Sequence, residues 1–247
     1  MNSQCTKISR KIKVIAFKQL FGLLKEAFTQ QQCLLCCQTS QTLICRYCRE
    51  DLNLFDLKSC DYNLLQRQNI HSHLQPPLYE KLVALAPYQW PVSSLISRLK
   101  FNDKLINAKA LADLFRWHIF NELKGSLNPQ DTLFIPVPLH FSRLRHRKYN
   151  QSIEIVRHFN LGKKPFDYQL CQRQKPTRAQ TELSASQRRK NLKGAFTVSG
   201  EITANRIIIF DDVVTTGTTV NSLCEALLTK NPNLTIEVWC IALTLRS

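Results

Sequence analysis

The feature that most constrains the fold is a continuous apolar run, Ile207–Phe210, followed by two acidic residues and a threonine-rich turn. A run of this kind is typical of a central parallel strand that is covered on both faces. Apolar residues at helical spacing follow over residues 218–230, so the segment predicts a strand, a turn and a helix. This order favours an α/β fold with a mainly parallel sheet flanked by helices.

Much of the remaining chain repeats this alternation. Short apolar runs predict strands over residues 82–86, 133–137, 206–212 and 234–243. Apolar residues at steps of three and four predict helices over residues 92–99, 108–115, 152–159 and 218–230. Residues 163–193 are polar, basic and without periodicity, and they predict a mobile loop. Residues 50–80 carry no clear pattern.

Two adjacent carboxylates, Asp211 and Asp212, are expected at the carboxyl end of a strand, where ligands bind in open α/β sheets. Ionised carboxylates only accept hydrogen bonds, so sugar hydroxyls are suitable partners. Gly217 permits a sharp turn into a helix, whose first N–H groups can bind an anion. The segment predicts a site for a sugar and an anion, formed by Asp211, Asp212, Val213, Val214, Thr215, Thr216, Gly217, Thr218 and Thr219.

The same segment has a simpler explanation, in which a threonine caps a helix that binds no ligand. Threonine is a good helix cap, but one threonine is enough for capping. This loop has four threonines, and two acidic residues precede it. It contains no lysine, which distinguishes it from a Walker-type phosphate loop.

Two C-x-x-C pairs, Cys33 with Cys36 and Cys45 with Cys48, are separated by eight residues. Each pair can hold one side of a metal ion, and together they complete a tetrahedral thiolate site. Thiolates favour structural zinc, with an iron centre as the alternative. A module this small lacks a core of its own, so the metal would supply its folding energy. Free thiols and a redox-active pair are the competing interpretations.

The other cysteines leave two questions open. Cys37 adjoins the first pair and competes with Cys36 as a ligand. Further along, Cys60 lies near His71 and His73, which indicates either a second metal site or solvated loop residues. Half of the ten cysteines lie between residues 33 and 48. Cysteines of this kind fit a reducing compartment, so we expect a cytoplasmic protein.

The charge balance is strongly basic, with 34 Lys and Arg against 18 Asp and Glu and a formal net charge of +16. Such a field attracts nucleotides, pyrophosphate or a nucleic-acid backbone. Candidate contacts to these anions are Arg143, Arg145, Arg147, Lys148, Arg178, Arg188 and Arg189. The clusters fit a solvated surface, a clamp on pyrophosphate, or a path for single-stranded DNA on which Tyr149 or Phe141 stacks with bases.

The sequence predicts three parts. Residues 1–30 form a basic amphipathic helix, which binds a membrane or a partner or packs on the protein itself. Residues 31–80 form a zinc-ribbon-like module and a linker, and residues 81–247 form the α/β domain. The longest apolar runs are far shorter than the roughly 20 residues of a membrane-spanning helix, so we expect no transmembrane span.

Residues 211–219 resemble the phosphoribosyl pyrophosphate (PRPP) loop of type I phosphoribosyltransferases. Over about residues 33–245 the chain resembles the ComF family of competence proteins. Besides the cysteine module, the segments that carry this resemblance are Arg98-Leu99-Lys100-Phe101, Pro136-Val137-Pro138, Arg147-Lys148-Tyr149-Asn150-Gln151 and Arg188-Arg189-Lys190-Asn191-Leu192-Lys193-Gly194-Ala195-Phe196. The resemblance implies a type I phosphoribosyltransferase-like domain with a small N-terminal zinc-ribbon-like module whose metal is held by four cysteines.

The resemblance also implies residue roles. Asp211 and Asp212 would hold the ribose hydroxyls of PRPP, and residues 215–219 would hold its 5-phosphate. Pro136, Val137 and Pro138 would form the pyrophosphate loop, with Mg²⁺ balancing the pyrophosphate charge. Lys148 stands where the family usually has glycine, so its side chain is expected to narrow the pocket or to contact phosphate.

Three functions are compatible with this resemblance. The first is a role in natural transformation, in which the protein passes single-stranded DNA inward and cooperates with the DNA-uptake machinery. The second is a catalytically active phosphoribosyltransferase, although the sequence reveals neither a general base nor an acceptor. The third is a regulator that senses PRPP or a nucleotide. We favour the first.

Overall fold

The computed structural model describes residues 30–123, 125, 131–161, 166–175 and 194–245. The predicted helix over residues 1–30 therefore lies almost entirely outside the described residues, as do Arg178, Arg188 and Arg189. The chain divides into two compact units, residues 1–52 and 53–247. Residues 53–80, which were predicted as part of the module and linker, thus belong to the second unit.

The described part of the first unit, residues 30–52, contains two short strands and one helix. Strand β1 (Gln31–Gln32) pairs antiparallel with β2 (Thr39–Ser40), and helix α1 (Arg46–Glu50) follows. Within residues 30–52 the buried apolar side chains are few, chiefly Leu43 and Ile44. Because so small a core contributes little free energy, this unit suits stabilisation by a bound metal.

The second unit alternates strands and helices. In chain order its α-helices and strands are α2 (Gln68–His71), β3 (Lys81–Pro87), α3 (Val92–Phe101), α4 (Ile106–Phe115), α5 (Asn121–Leu123), β4 (Thr132–Pro136), α6 (Phe141–Arg147), α7 (Gln151–Val156), β5 (Cys171–Arg173), β6 (Phe196–Val198), β7 (Arg206–Val214), α8 (Thr218–Lys230) and β8 (Thr235–Leu243). A π-helical turn, Arg116–Phe120, joins α4 to α5.

The main sheet has four parallel strands in the order β3-β8-β7-β4. Nearly every side chain of β7 and β8 is buried, as expected for central strands covered on both faces. Helices flank the sheet, with α7 packing on β7 and β4. The predicted class, a mainly parallel α/β sheet flanked by helices, is confirmed.

The core around the sheet is rich in aromatic side chains. Phe115, Phe159, Phe210 and Trp239 are fully buried and form a cluster in which neighbouring ring centroids lie 5.0–5.9 Å apart. The indole N–H of Trp239 donates to a carboxylate oxygen of Glu237 at 2.9 Å. Arg206 donates to the other oxygen, so this buried acid is fully engaged.

Several elements differ from the prediction. The central strand runs on to Val214, two residues beyond the acidic pair, because Val213 and Val214 still pair with β8. The antiparallel hairpin β5–β6 begins within residues 163–193, which were predicted as a loop; the rest of that segment is largely outside the described residues. Residues 53–80 form two 3-10 turns and α2 rather than an unpatterned stretch. In the part of the chain that the structure describes, no helix has both the length and the apolar character needed to cross a bilayer.

Candidate functional site

The candidate site lies at the carboxyl edge of the sheet. Because the four strands are parallel, the loops after β4 and β7 emerge side by side there. The N–H of Val137 donates to the carbonyl of Phe210 at 2.9 Å, which fixes the Pro136-Val137-Pro138 loop beside the acidic pair. The structure thus brings together two segments that are more than seventy residues apart in sequence.

The threonine-rich loop turns sharply into α8. Gly217 has a φ of +76° and forms the N-cap of the helix, a left-handed conformation that favours glycine. The hydroxyls of Thr216 and Thr218 are 2.8 Å apart. The loop borders a small open cavity of about 20 Å³, lined by Asp211, Val213, Val214, Thr215, Thr216, Gly217, Thr218, Thr219 and Val220.

Residues before β3 support the underside of this loop. The N–H of Gln75 donates to the carbonyl of Thr216 at 3.0 Å. The amide of Asn221 accepts from the N–H of Leu78 at 3.1 Å and donates to the carbonyl of Pro76 at 2.9 Å. A segment that was predicted as linker therefore fixes the position of the loop.

The acidic pair is bound to a cation. The ammonium of Lys100, near the end of α3, lies 2.9 Å from a carboxylate oxygen of Asp212. Asp211 accepts hydrogen bonds from the Ser152 hydroxyl at 3.1 Å and from the N–H of Asp212 at 2.9 Å. Burial and the neighbouring charge of Asp212 raise the pKa of Asp211 to about 7, although Lys100 and these two donors oppose the rise.

Two arginines extend the positive field beside the acids. Arg173, on β5, is buried, with its guanidinium 5.4 Å from the centroid of the Phe196 ring. Burial and the charge of Arg143 lower the pKa of Arg173 to about 10, and the charge of Asp211 opposes this. Burial also lowers the pKa of Arg143, on α6. The predicted contact residue Arg143 therefore lies within electrostatic range of the site.

Helices α6 and α7 are joined by a tightly bonded turn. The Asn150 side chain caps α7 by accepting from the N–H of Ser152 at 2.9 Å, and it donates to the carbonyl of Val137 at 2.8 Å. Arg147 donates to the Gln151 side chain at 3.2 Å. The Tyr149 hydroxyl donates to the carbonyl of Leu99, so this ring is anchored to α3.

Lys148 occupies a backbone conformation that glycine adopts more readily than lysine. Its φ is +66°, and it ends α6 in the left-handed region. Its ammonium lies 2.7 Å from a carboxylate oxygen of Asp103, and both side chains are mostly exposed. The lysine thus forms a surface ion pair, and its expected effect on the pocket or contact with phosphate stays a prediction.

The four predicted cysteines form a candidate metal site. The sulfurs of Cys33, Cys36, Cys45 and Cys48 all lie within 4.8 Å of one another. The N–H of Cys45 points to the sulfur of Cys33 at 3.4 Å. Burial alone would raise the pKa of Cys33, but backbone N–H donors from residues 36, 45 and 35 outweigh it and lower the pKa to about 6. This favours a thiolate at Cys33, whereas burial and the neighbouring cysteines raise the pKa of Cys48.

The structure separates this cluster from the other candidate ligands. Cys37 is exposed, with a φ of +62°, and is not among the four clustered sulfurs. Cys60 is buried and its thiol approaches the carbonyl of Leu57 at 3.5 Å. Within the described residues, Cys60, His71 and His73 do not gather into a metal-binding group.

Four residues of the site were not assigned from sequence: Lys100, Ser152, Arg173 and Tyr79. Lys100 lies in Arg98-Leu99-Lys100-Phe101, one of the segments that carry the family resemblance. Its presence there was a signal that this lysine belongs to the site. Arg173 belongs to a basic cluster of the sequence with Lys175 and Arg178, which was a signal of the same kind. Tyr79 carried none, because its position follows from the folding of residues 75–79 beneath the loop. The Tyr79 hydroxyl is buried without a partner among the described residues and lies 3.5 Å from where a β-carbon on Gly217 would be.

Comparison with known proteins identifies relatives. No family model matches the chain. It is 34% identical over 183 residues to the DNA utilization protein YhgH of Escherichia coli O157:H7, covering 71% of this chain and 80% of that protein. It is 35% identical over 174 residues to the DNA utilization protein YhgH of Salmonella typhi, covering 69% of this chain and 75% of that protein. It is 34% identical over 175 residues to Competence protein F of Haemophilus influenzae, covering 68% and 75%. These matches, together with the cysteine module and the parallel sheet, show that the chain belongs to the ComF family.

Proposed function

We propose that this protein acts in DNA uptake, in the cytoplasm, by binding PRPP or a related ribose phosphate and single-stranded DNA. Its relatives carry the names DNA utilization protein and Competence protein F, which support a role in handling incoming DNA. In this proposal the four-cysteine cluster holds a structural zinc ion, and partners of the DNA-uptake machinery are expected.

The arrangement of the loop after β7 is the observation that carries the proposal. A left-handed glycine opens a helix start beside four threonine hydroxyls, which suits a phosphate. The neighbouring carboxylates suit ribose hydroxyls, because each ionised oxygen accepts a donated hydrogen bond. Asp211 and Asp212 would bind the sugar, and residues 215–219 would bind the 5-phosphate.

The adjacent Pro136-Val137-Pro138 loop is the expected place for pyrophosphate. The donors that would bind it are backbone N–H groups together with the cations of Arg143 and Arg173, of which Arg173 interacts electrostatically with both Arg143 and Asp211. Mg²⁺ would accompany PRPP and reduce the repulsion between its phosphates and the acidic pair. The basic residues of α6, Arg143, Arg145 and Arg147, would continue this surface towards a DNA strand.

Calorimetric titration with PRPP and Mg²⁺ tests the ligand. Replacing Thr219 with valine removes one hydroxyl from the loop, and we expect about tenfold weaker binding, the loss of one hydrogen bond to a charged group. Thr229→Val is the matched control, because Thr229 lies at the other end of α8 and bonds to the carbonyl of Glu225. Equal affinity for both variants would contradict the assignment of the loop.

A salt series tests the DNA half of the proposal. Affinity for a labelled oligothymidine should fall steeply as salt increases, since cations that contact phosphates release counterions. The combined variant Arg143→Gln, Arg145→Gln should bind more weakly and with a shallower slope. A protein that binds PRPP but no single-stranded DNA would remove DNA handling from the proposal and leave the ribose-phosphate site intact.

The pKa of Asp211 favours one second candidate, an active phosphoribosyltransferase. Asp211 lines the pocket, and a pKa of about 7 suits a group that removes a proton from an acceptor at neutral pH. Pyrophosphate release from PRPP and Mg²⁺, measured with each common nucleobase as acceptor, tests this candidate. Release that depends on an acceptor and is lost in Asp211→Asn would support it; no release with any base would leave binding alone.

A further inference from the structure

We infer that Phe101, at the edge of the ribose-phosphate pocket, is a stacking site for a base of single-stranded DNA. The neighbouring Arg147 positions its ring. This inference rests on the proposed nucleic-acid binding and assigns it a surface. Phe101 is the last residue of α3, and its side chain is 69% exposed. Single exposed aromatic residues are common, so exposure alone indicates nothing.

The position of Arg147 is what distinguishes this ring. The Arg147 guanidinium lies 5.5 Å from the centroid of Phe101. Arg147 is itself fixed, because it donates to the side chain of Gln151, which is buried. A planar cation beside an exposed aromatic ring is the pairing that proteins use to bind a base and its phosphate together.

The charges around Phe101 favour a polyanion. Arg145, His146 and Arg147 form the last turn of α6, and Lys148 follows directly. Asp103, two residues beyond Phe101, already pairs with Lys148. A strand of nucleic acid supplies both components that such a surface accepts, a planar base and a regularly spaced negative charge.

Phe101 is also connected to the pocket through the chain itself. The preceding residue, Lys100, binds Asp212 within the ribose-phosphate site. At the other end of α6, Phe141 is 70% exposed and follows closely on the Pro136-Val137-Pro138 loop. One ring therefore lies at each end of α6. A DNA strand that stacks on Phe101 would lie along the basic residues of this helix.

Tyr149, which the sequence offered as a stacking candidate, is less suited. Its hydroxyl donates to the carbonyl of Leu99, and the ring is only partly exposed. The bond fixes the ring beside α3, and partial burial leaves less of the ring open to a base than at Phe101. Phe101, two residues beyond Leu99, has no hydroxyl and remains open to solvent.

Binding of two fluorescent strands of equal length tests the inference: an oligothymidine of about 20 nucleotides and an abasic strand with the same number of phosphates. We expect Phe101→Ala to weaken oligothymidine binding about tenfold, the loss of one base–aromatic contact, and to leave abasic binding unchanged. Phe101→Leu keeps the apolar bulk but not the aromatic ring, and it should lose as much affinity for oligothymidine as Phe101→Ala does. Phe101→Trp should retain full affinity.

Two controls separate this inference from the proposed function. Trp117→Ala removes an exposed aromatic residue on another element and should bind both strands normally. PRPP titration of Phe101→Ala should match the intact protein, which shows that the pocket is folded. Normal oligothymidine binding by Phe101→Ala, or equal weakening for both strands, overturns the stacking role. Failure of the intact protein to bind either strand overturns the proposed DNA binding itself.

Discussion

The ammonium of Lys100 lies 2.9 Å from a carboxylate oxygen of Asp212, and both side chains are largely buried at 16% and 10% exposure. This ion pair joins the end of α3 to the central strand. It also places one ammonium against two adjacent acids, so Asp211 relies on hydrogen-bond donors and on the charge of Arg173 as well.

Removing Lys100 should destabilise the protein. Lys100→Met leaves Asp212 buried without its cation, and we expect a loss of about 2–4 kcal/mol in the free energy of unfolding. Asp212→Asn should restore much of this loss in the double variant, because no charge then remains to be paired. Urea unfolding followed by tryptophan fluorescence measures all four proteins of this cycle. Strictly additive losses would show that the two residues do not interact.

Asp211 should make stability depend on pH. Its folded pKa, about 7, lies above the unfolded value of 3.8, so the folded state holds a proton that the unfolded chain has released between these limits. Its contribution to stability is therefore greatest at low pH and is lost as pH rises from about 4 to about 7. Asp211→Asn should remove this loss. Its free energy of unfolding should therefore rise by a few kcal/mol relative to that of the intact protein as pH increases across that range.

Unfolding at several pH values, followed by fluorescence, checks this prediction. All three tryptophans lie in residues 53–247, so the signal reports on that unit. Glu225→Gln, a change at an exposed carboxylate on α8, is the control and should track the intact protein. If the free energies of unfolding of Asp211→Asn and the intact protein differ by the same amount at every pH, the pKa of Asp211 is not raised.

The cysteine cluster should bind one metal ion through Cys36 and not through Cys37. Cys36→Ser removes one of the four clustered sulfurs, and we expect loss of the bound metal. Cys37→Ser should retain one equivalent. Elemental analysis of the purified variants measures the metal content and also distinguishes zinc from iron. Loss of metal in Cys37→Ser alone would reverse the assignment.

Lys148→Gly should be tolerated or stabilising. A residue with a β-carbon at a φ of +66° carries about 1 kcal/mol of backbone strain, which glycine removes. The exposed ion pair with Asp103 contributes little against this. Lys148→Ala loses the same ion pair but keeps the strain, so it should be less stable than Lys148→Gly. Equal urea midpoints for the two variants would contradict the strain argument.

The sequence was most informative where a local pattern determines the structure. The apolar run before Asp211 predicted a central strand because a strand buried on both faces needs apolar residues throughout. The glycine and threonines after it predicted the turn, and two C-x-x-C pairs predicted the sulfur cluster. Each of these patterns needs only a few neighbouring residues.

The remaining features depend on contacts between distant segments. Lys100 reaches Asp212 across more than one hundred residues, and Gln75 reaches Thr216 across more than one hundred and forty. No local pattern indicates such pairings. The hairpin β5–β6 was missed for a similar reason, since its two strands have only three residues each and are separated by a basic stretch.

The strand order has a consequence for how the protein is made. Lys81 of β3 pairs with Glu237 of β8, so β3 leaves the ribosome about 150 residues before its neighbour. Until β8 has been made, β3 lacks its partner in the sheet and β7 is paired with β4 along one edge alone, a condition that slows folding and promotes aggregation. We expect chaperones to bind the nascent chain until β8 has been synthesised.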